Sequence, residues 1–300
     1  MKKLRFIVSL VTQDNDYQRL QAAAATDIAG RLGVDLQIIF SDNDGVKQGL
    51  DLLDIIQSTA SRPDGIVMMP AGTALPHVAR AAAVAGIGWA VLGKEADYVA
   101  ELRSRYRSPV FYIGINNEAI GKIQGQQLAA LLPMGGHVLY IQGPAGSTAA
   151  EIRTKGMNQT KPKNVDVRML RGDWTRKSGQ KAMSGWLNLP ISREVPVSVV
   201  AGQNDAMVMG ARMAFEEHIH AAGGKSMPDM RFIGCDGGRE TGQAWVKSGD
   251  LVATIVTPAN AGVAVEMMAH AIQAGLQPQE RTMVEPVCYP SLNELTAKSR

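Results

Sequence analysis

Cysteine is scarce in this chain, and its scarcity excludes a fold held together by disulfide bonds. The 300 residues include two cysteines, Cys235 and Cys288, whereas small secreted domains that depend on disulfides have more. A chain of this length buries enough apolar surface without cross-links. Both cysteines stand in apolar, strand-like runs, so we expect buried free thiols. Aromatic residues are only 5% of the chain, which gives weight to each one beside a turn.

Long apolar runs and concentrated charge are also missing. No run approaches the roughly 20 apolar residues of a membrane span, so the chain is not expected to be membrane-embedded. The first apolar stretch, residues 6–11, is shorter than the apolar region of a signal peptide, which has about 7–15 residues. We interpret it as a first strand, and we expect that any signal peptide is absent from this sequence. The formal charge of +3 is spread along the chain, so no nucleic-acid partner is expected.

The signatures of several enzyme classes are absent as well. The sequence has neither a phosphate-binding G-x-x-x-x-G-K-[ST] loop nor a G-x-S-x-G nucleophile turn. The segment GPAGSTA (143–149) stands between a strand and a helix but lacks G-x-G-x-x-G, so a dinucleotide loop is disfavoured. The five histidines have no metal-ligand spacing. We therefore predict a protein that is not an enzyme and has no cofactor or metal.

The stretch VSVVAGQNDAMVMG (197–210) is typical of a strand, a polar turn and a helix. Its β-branched start indicates a buried strand, and the run from Ala206 onward predicts a helix. Asn204 and Asp205 would then lie at the carboxyl end of the strand, where open α/β sheets bind ligands. Asp205 is predicted to cap the helix. The alternative is that both residues serve only as caps.

Strands and helices alternate over the whole chain. Strands are predicted at residues 5–11, 35–40, 65–69, 87–92, 110–115, 137–142, 166–170, 197–201, 231–235, 251–256 and 282–289, and the tail is polar. Residues 96–108, where arginines alternate, are interpreted as a solvated loop or an excursion from the strand–helix pattern. Regular alternation is typical of parallel sheets covered on both faces, and one sheet of so many strands is disfavoured. The predicted fold class is α/β, with two doubly wound parallel-sheet lobes.

Several predicted strands end in turns whose side chains suit a small polar ligand. They are Asp14, Asn15, Tyr17, Lys94, Arg153, Asp173, Trp174, Asn204, Asp205 and Asp236. Carboxylates, amides and guanidinium groups pair with adjacent hydroxyls, and aromatic faces cover the C–H side of a sugar ring. Each residue alone could be a cap or a surface charge. Their common place at strand ends favours a pocket for a small ligand such as a sugar or polyol.

Longer motifs give the chain a family resemblance. They are DNDY (14–17), IQGPAGSTAAEIRTKGM (141–157), DWTRKSG (173–179), VVAGQNDAMVMGA (199–211), FIGCDG (232–237) and GDLVATIVTP (249–258). With these motifs the chain resembles the periplasmic sugar-binding proteins of ABC transporters, in the ribose/galactose-binding group. That group has the type I periplasmic binding protein fold, which is Rossmann-like and shared with the lac repressor family.

The resemblance assigns ligand contacts to particular residues. It implies that the ligand is contacted by Asn15, Tyr17, Arg153, Trp174, Asn204 and Asp236. Tyr17 and Trp174 would enclose the sugar ring, and Arg153 would bind its ring oxygen and hydroxyls. Two further site positions depart from the family pattern: Lys94 stands where ribose-type members have Asp-Arg, and Thr257 where glutamine is common. These departures count against ribose itself and leave another pentose, a hexose, a polyol or another small polar ligand open.

The resemblance also implies how the chain is divided. The N-terminal lobe would comprise residues 1–115 and 258–285, and the C-terminal lobe residues 116–257 and 286–300, joined by a hinge of three crossings. A ligand in the cleft between the lobes would favour a closed form, because only that form makes both sets of contacts.

The implied function is that of an extracytoplasmic solute-binding protein, a monomer that delivers its ligand to the permease of an ABC importer. It would be periplasmic, or extracytoplasmic with a lipid anchor. The alternative is a ligand-sensing domain of the same fold, partnered with a chemoreceptor or regulator and binding a non-sugar molecule. A transcriptional regulator would need a helix-turn-helix domain before the first strand, and that strand begins near Leu4.

Overall fold

The chain folds into two compact units. The computed structural model describes residues 3–14, 16–60, 62–223 and 230–298. The first unit comprises Met1–Ile115 and Pro258–Val284, and the second comprises Asn116–Thr257 and Glu285–Arg300. Within the second unit, Asn116 Nδ2 donates hydrogen bonds to both carboxylate oxygens of Glu285, at 3.1 and 3.0 Å. This pair ties the last segment of the chain to the segment that begins at Asn116.

The strands are mostly short and apolar. In chain order they are β1 (Arg5–Leu10), β2 (Asp35–Phe40), β3 (Gly65–Met68), β4 (Gly88–Leu92), β5 (Val110–Ile115), β6 (Gly136–Gln142), β7 (Val165–Arg171), β8 (Val197–Gly202), β9 (Arg231–Ile233), β10 (Thr254–Val256), β11 (Arg281–Val284) and β12 (Val287–Tyr289).

Helices follow most of the strands. They are α1 (Asp16–Leu32), α2 (Gly45–Gln57), α3 (Pro76–Val84), α4 (Tyr98–Arg105), α5 (Asn117–Leu131), α6 (Thr148–Thr160), α7 (Arg176–Leu187), α8 (Asp205–Ala221), α9 (Gly242–Ser248), α10 (Asn260–Ala274) and α11 (Leu292–Lys298). None of the helices in the described ranges is long and apolar enough to cross a lipid bilayer.

The first unit is built on a six-stranded parallel sheet in the order β11-β5-β4-β3-β1-β2. Its central strands are buried on both faces, which is why their sequences are continuous apolar runs rather than alternating ones. Helices α1 and α10 cover one face, and α2, α3 and α4 cover the other. Trp89 of β4 is fully buried, and its Nε1 donates to the hydroxyl of Tyr98 at 3.1 Å.

The second unit is built on a four-stranded parallel sheet in the order β7-β6-β8-β9. Helices α5, α6 and α11 contribute to the core on one face, and α7 and α8 to the core on the other. Isolated parallel bridges, Ile233 to Ala253 and Asp236 to Val256, continue the sheet toward β10. The predicted α/β class with parallel sheets in two lobes is confirmed.

Residues 282–289 form two strands rather than the single predicted one. β11 belongs to the sheet of the first unit, whereas β12 pairs with β10 in the second unit. Pro286 stands between them, and a proline has no backbone N–H with which to continue a strand ladder. The β10–β12 pair is antiparallel, so the second unit departs from a wholly parallel arrangement.

Residues 96–108 contain helix α4, so their interpretation as a solvated loop is wrong. The helix buries a short apolar face made of Tyr98, Val99 and Leu102. Arg103 is structural, because its two terminal nitrogens donate to the carbonyl oxygens of Val110 and Pro278 at 2.6 and 2.8 Å. The polar tail is also partly helical: α11 buries Leu295 completely.

Candidate ligand-binding site

In the second unit, Arg153 lies inside the protein rather than on its surface. It belongs to the buried side of α6, and only 8% of its surface is exposed. Helices α5 and α6 approach closely because Gly121 has no side chain, and a Cβ atom there would overlap the carbonyl oxygen of Arg153. The α6 segment thus holds Arg153 against α5, and the guanidinium reaches the turn that follows β8.

Two hydrogen bonds to oxygen atoms and a longer one to sulfur hold the guanidinium of Arg153. Nε donates to Asn117 Oδ1 at 2.9 Å, and Nη1 donates to the carbonyl oxygen of Gln203 at 2.6 Å. Nη1 also lies 3.8 Å from Cys235 Sγ. Burial raises the pKa of the Cys235 thiol, so the thiol is neutral beside the cation. Within the described ranges, Nη2 makes no hydrogen bond, and its N–H groups are therefore available to a ligand.

Trp174 lies beside that guanidinium. The Cζ atom of Arg153 is 5.6 Å from the centre of the indole ring, which is within the range of a cation–π contact. The backbone of Trp174 is left-handed, with φ +73°, a conformation that is strained for a residue with a side chain. A Cβ atom at Gly143 would overlap the indole, so this glycine makes room for the ring. The ring is therefore held in a defined place.

The amide of Asn204 fixes the turn that carries Trp174. Its Nδ2 donates to the carbonyl oxygen of Trp174 at 2.9 Å, and its Oδ1 accepts from the backbone N–H of Met207 at 2.9 Å. Asn204 is thus the N-cap of α8, and the prediction that Asp205 caps this helix is wrong. The structure brings Arg153, Trp174 and Asn204 into one cluster.

Asp236 and Thr257 are neighbours at the ends of β9 and β10. The N–H and Oγ1 of Thr257 donate to the carbonyl oxygen of Asp236, at 3.1 and 3.3 Å, and both residues are largely buried. The backbone of Asp236 is left-handed, with φ +106°. Because Cys235 directly precedes Asp236 and its sulfur lies against Arg153, this pair adjoins the Arg153 cluster.

Gln203 supports the cluster from beneath, and it is not among the site residues predicted from the sequence. Its Oε1 accepts from the N–H of Gly143 at 2.9 Å, and its Nε2 lies within hydrogen-bond distance of Tyr140, Ala150 and Thr154. The side chain is fully buried. The only sequence signal for Gln203 was its place next to two predicted site residues, Asn204 and Asp205. That signal does not distinguish a buried structural residue from one that contacts the ligand.

In the first unit, Tyr17 and Lys94 follow β1 and β4, at the same carboxyl edge of the sheet. Tyr17 lies in the first turn of α1 and packs against the core. Lys94 Nζ donates to the carbonyl oxygen of Gly72, in the turn after β3, at 2.9 Å. Since β3 separates β4 from β1 in the sheet, Lys94 and Tyr17 stand two strands apart. Asn15 lies outside the described residues.

Asp173 is a turn residue in the second unit. Its Oδ1 accepts from the backbone N–H and the hydroxyl of Thr175, at 3.1 and 2.5 Å. Among the residues that the structure describes, no group of three or more histidine, cysteine, aspartate and glutamate side chains could hold a metal ion.

The family of the chain follows from its sequence as a whole. A family described as a periplasmic binding protein domain matches residues 6–276. The ribose import binding protein of Escherichia coli is 28% identical over 76% of this chain and 70% of that protein. The D-apiose import binding protein of Paraburkholderia graminis is 25% identical over 84% of this chain and 76% of that protein. The xylitol-binding protein of Mycolicibacterium smegmatis is 33% identical over 45% of this chain, and the matched stretch spans only 37% of that relative.

Solved structures share the fold. The periplasmic component of an arabinose ABC transporter from Shewanella sp. has a TM-score of 0.78 at 22% identity, covering 99% of this chain and 95% of that one. A Caulobacter myo-inositol binding protein has a TM-score of 0.74 at 21% identity, covering 98% and 95%. The resemblance indicated by the motifs is confirmed: the chain belongs to the family of periplasmic binding protein domains.

Proposed function

We propose that this protein captures a small sugar or polyol in the periplasm and delivers it to the permease of an ABC importer. It acts as a monomer, makes and breaks no covalent bond, and binds one ligand molecule with residues of both units. The ligand residues are Arg153, Trp174, Asn204, Asp236 and Thr257 in the second unit, and Asn15, Tyr17 and Lys94 in the first.

The observation that carries this proposal is the pairing of Arg153 with Trp174. A sugar or polyol ring has C–H groups on its faces and hydroxyls at its edge. An indole face beside a guanidinium with unused N–H donors matches both features. Because Asn204 and Gly143 already hold the indole in place, little side-chain freedom remains to be lost when the ligand binds.

Relatives support transport as the role of this binding. Two relatives that match most of this chain are import binding proteins, for ribose and for D-apiose. A third, matched over less than half of this chain, binds xylitol. We therefore favour a transporter component over a sensing domain, and we favour small, neutral, hydroxyl-rich molecules as ligands.

Lys94 bears on the choice among those ligands. Its ammonium is a single point charge that donates to Gly72, whereas an Asp-Arg pair would offer a planar, two-pronged contact. We propose that ribose binds more weakly here than a polyol or another pentose does.

The first test is a thermal-shift and tryptophan-fluorescence titration with D-ribose, D-apiose, L-arabinose, xylitol and myo-inositol. A ligand that binds only the folded protein must raise its melting temperature, and Trp174 should report binding directly. We expect a saturable response to at least one compound other than ribose. No response to any of the five would contradict the proposal that the ligand is a sugar or polyol.

Matched variants test whether both units hold the ligand. We expect Trp174→Ala in the second unit and Lys94→Ala in the first to weaken binding by roughly tenfold or more each, the effect of one lost stacking or charged contact. Lys163→Ala, at an exposed lysine, is the control and should bind as the wild type does. If Lys94→Ala also binds normally, Lys94 is not a ligand residue.

A further inference from the structure

We propose that Asn117 is a positioning residue, which orients the guanidinium of Arg153 for the ligand without touching the ligand itself. The inference rests on the proposed function, in which Arg153 binds the sugar or polyol. Asn117 was not among the residues selected from the sequence, and it lies 36 positions from Arg153 along the chain.

Hydrogen bonds of Asn116, the residue that precedes Asn117, fix the start of helix α5. Asn116 caps the helix, because its Oδ1 accepts from the backbone N–H of Ala119 at 3.0 Å. Its Nδ2 donates at the same time to both carboxylate oxygens of Glu285. Asn117 is the first residue of the helix, so its backbone is held on both sides. A side chain attached there can act as a fixed acceptor.

Helix α5 meets Arg153 at two points, one turn of helix apart. At Gly121 the missing side chain allows the backbone of Arg153 to come close. At Asn117 the side-chain oxygen accepts from Nε at 2.9 Å. The contact at Gly121 fixes the backbone position of Arg153. The hydrogen bond to Asn117 restricts the conformation of its long, flexible side chain.

The bond to Asn117 decides the plane of the guanidinium. Without Asn117, Nη1 alone would hold the group, by one hydrogen bond to Gln203 and a long, weak one to Cys235 Sγ at 3.8 Å, and the planar group could still pivot about that nitrogen. A second bond, from Nε, removes this rotation, because the nitrogens share one rigid plane. With Nε and Nη1 engaged, the N–H groups of Nη2 are held in a set direction for the ligand. The same plane determines the contact with Trp174.

The test compares two substitutions that differ only in whether an acceptor remains. Asn117→Ala removes the oxygen, whereas Asn117→Asp keeps one at the same place. Asn158→Ala, at an exposed asparagine on α6, is the control. The probe is whichever of the five compounds above stabilises the wild type most. We expect Asn117→Ala to raise the Kd about ten- to a hundredfold, as for a lost hydrogen bond to a charged group, and Asn117→Asp to stay within about threefold of the wild type.

A readout without ligand separates positioning from a general structural role. Since the guanidinium lies over Trp174, Asn117→Ala should change the tryptophan emission of the free protein, and the change should vanish in a Trp174→Phe background. If Asn117→Asp weakens binding as strongly as Asn117→Ala, or if the emission is unchanged, the proposal is wrong. If the wild type binds none of the compounds, the proposed function fails, and the emission alone then decides whether Asn117 sets the guanidinium.

Discussion

At the residue scale, the carboxylate of Asp205 is a structural anchor. Its Oδ1 accepts from the hydroxyl of Thr254 at 2.7 Å, and its Oδ2 accepts from the N–H of Gly237 at 2.8 Å. Gly234 and Gly242 enclose it, since a Cβ atom at either would overlap the carboxylate. The group therefore joins the turns after β8 and β9 to strand β10.

We expect Asp205→Asn to destabilise the protein by about 1–3 kcal/mol, because the new NH₂ group cannot accept from the donor that it faces. Urea denaturation followed by circular dichroism measures the change. Asp173→Asn is the matched control: the N–H and the hydroxyl of Thr175 both donate to Oδ1, which an asparagine retains, so the stability should change by less than about 0.5 kcal/mol. Equal effects of the two substitutions would contradict the anchoring role.

The burial of the two thiols predicts how they react with chemical reagents. Cys235 is fully buried and Cys288 is partly buried, and burial raises the pKa of both thiols. The reactive thiolate is therefore scarcer than usual near neutral pH and increases only as the pH rises above the ordinary range for cysteine. In Cys288→Ser we expect a disulfide reagent to label Cys235 only after unfolding by denaturant. Rapid labelling of the folded variant would show that Cys235 is accessible.

The residues of the site could be selected from the sequence only where a turn follows a strand. Arg153, Trp174 and Asn204 stand in such motifs or beside them, and the structure brings them together. Gln203 and Asn117 were missed because their roles depend on partners far away in the chain. A buried glutamine that hydrogen-bonds to several elements cannot be distinguished by its local sequence from a glutamine on the surface.

At the element scale, helices α7 and α8 pack through two glycines. A Cβ atom at Gly179 would overlap the carbonyl oxygen of Met207, and one at Gly210 would overlap that of Arg176. The two backbones are therefore closer than side chains would permit. Gly185, on the same helix as Gly179, has open space around it. A substitution at Gly185 therefore serves as a control for one at Gly179.

We expect Gly179→Ala to lower the free energy of unfolding by about 1–3 kcal/mol, because the helices must separate to admit the methyl group. Gly185→Ala should instead raise it by up to about 1 kcal/mol, since alanine favours a helix more than glycine does. Parallel urea titrations of both variants provide the comparison. A stabilising effect of Gly179→Ala would mean that the helices are not in close contact.

Most elements could be predicted from apolar periodicity, and the failures have specific causes. Helix α4 was missed because its apolar face is only three residues long and arginines alternate through it. β11 and β12 were predicted as one strand because apolar residues stand on both sides of Pro286, although the proline separates the two strands. Periodicity describes which side chains share a face, and it does not show where one sheet ends and another begins.

At the scale of the whole molecule, the repeated strand–helix pattern predicted two parallel sheets, and the motifs indicated the family. Both were confirmed. The antiparallel β10–β12 pair was not foreseen, because its partners come from segments separated by α10 and β11 in the chain. Whether two strands pair in parallel or antiparallel depends on the path of the chain between them, and the local sequence does not encode that path.

Calorimetry of the whole protein tests whether one ligand is shared by both units. A ligand at about 100 times its Kd stabilises the state that binds it by about 2.7 kcal/mol. For units of this size, that corresponds to a shift in melting temperature on the order of 5 °C or more. If residues of both units bind the same molecule, unfolding of either unit releases it. We therefore expect the lower-temperature transition to rise until it meets the other, after which heat absorption from both units moves to higher temperature together. A ligand held by the second unit alone would shift only the transition of that unit. A Trp174→Ala variant, whose binding is about tenfold weaker, should show shifts about half as large at the same ligand concentration.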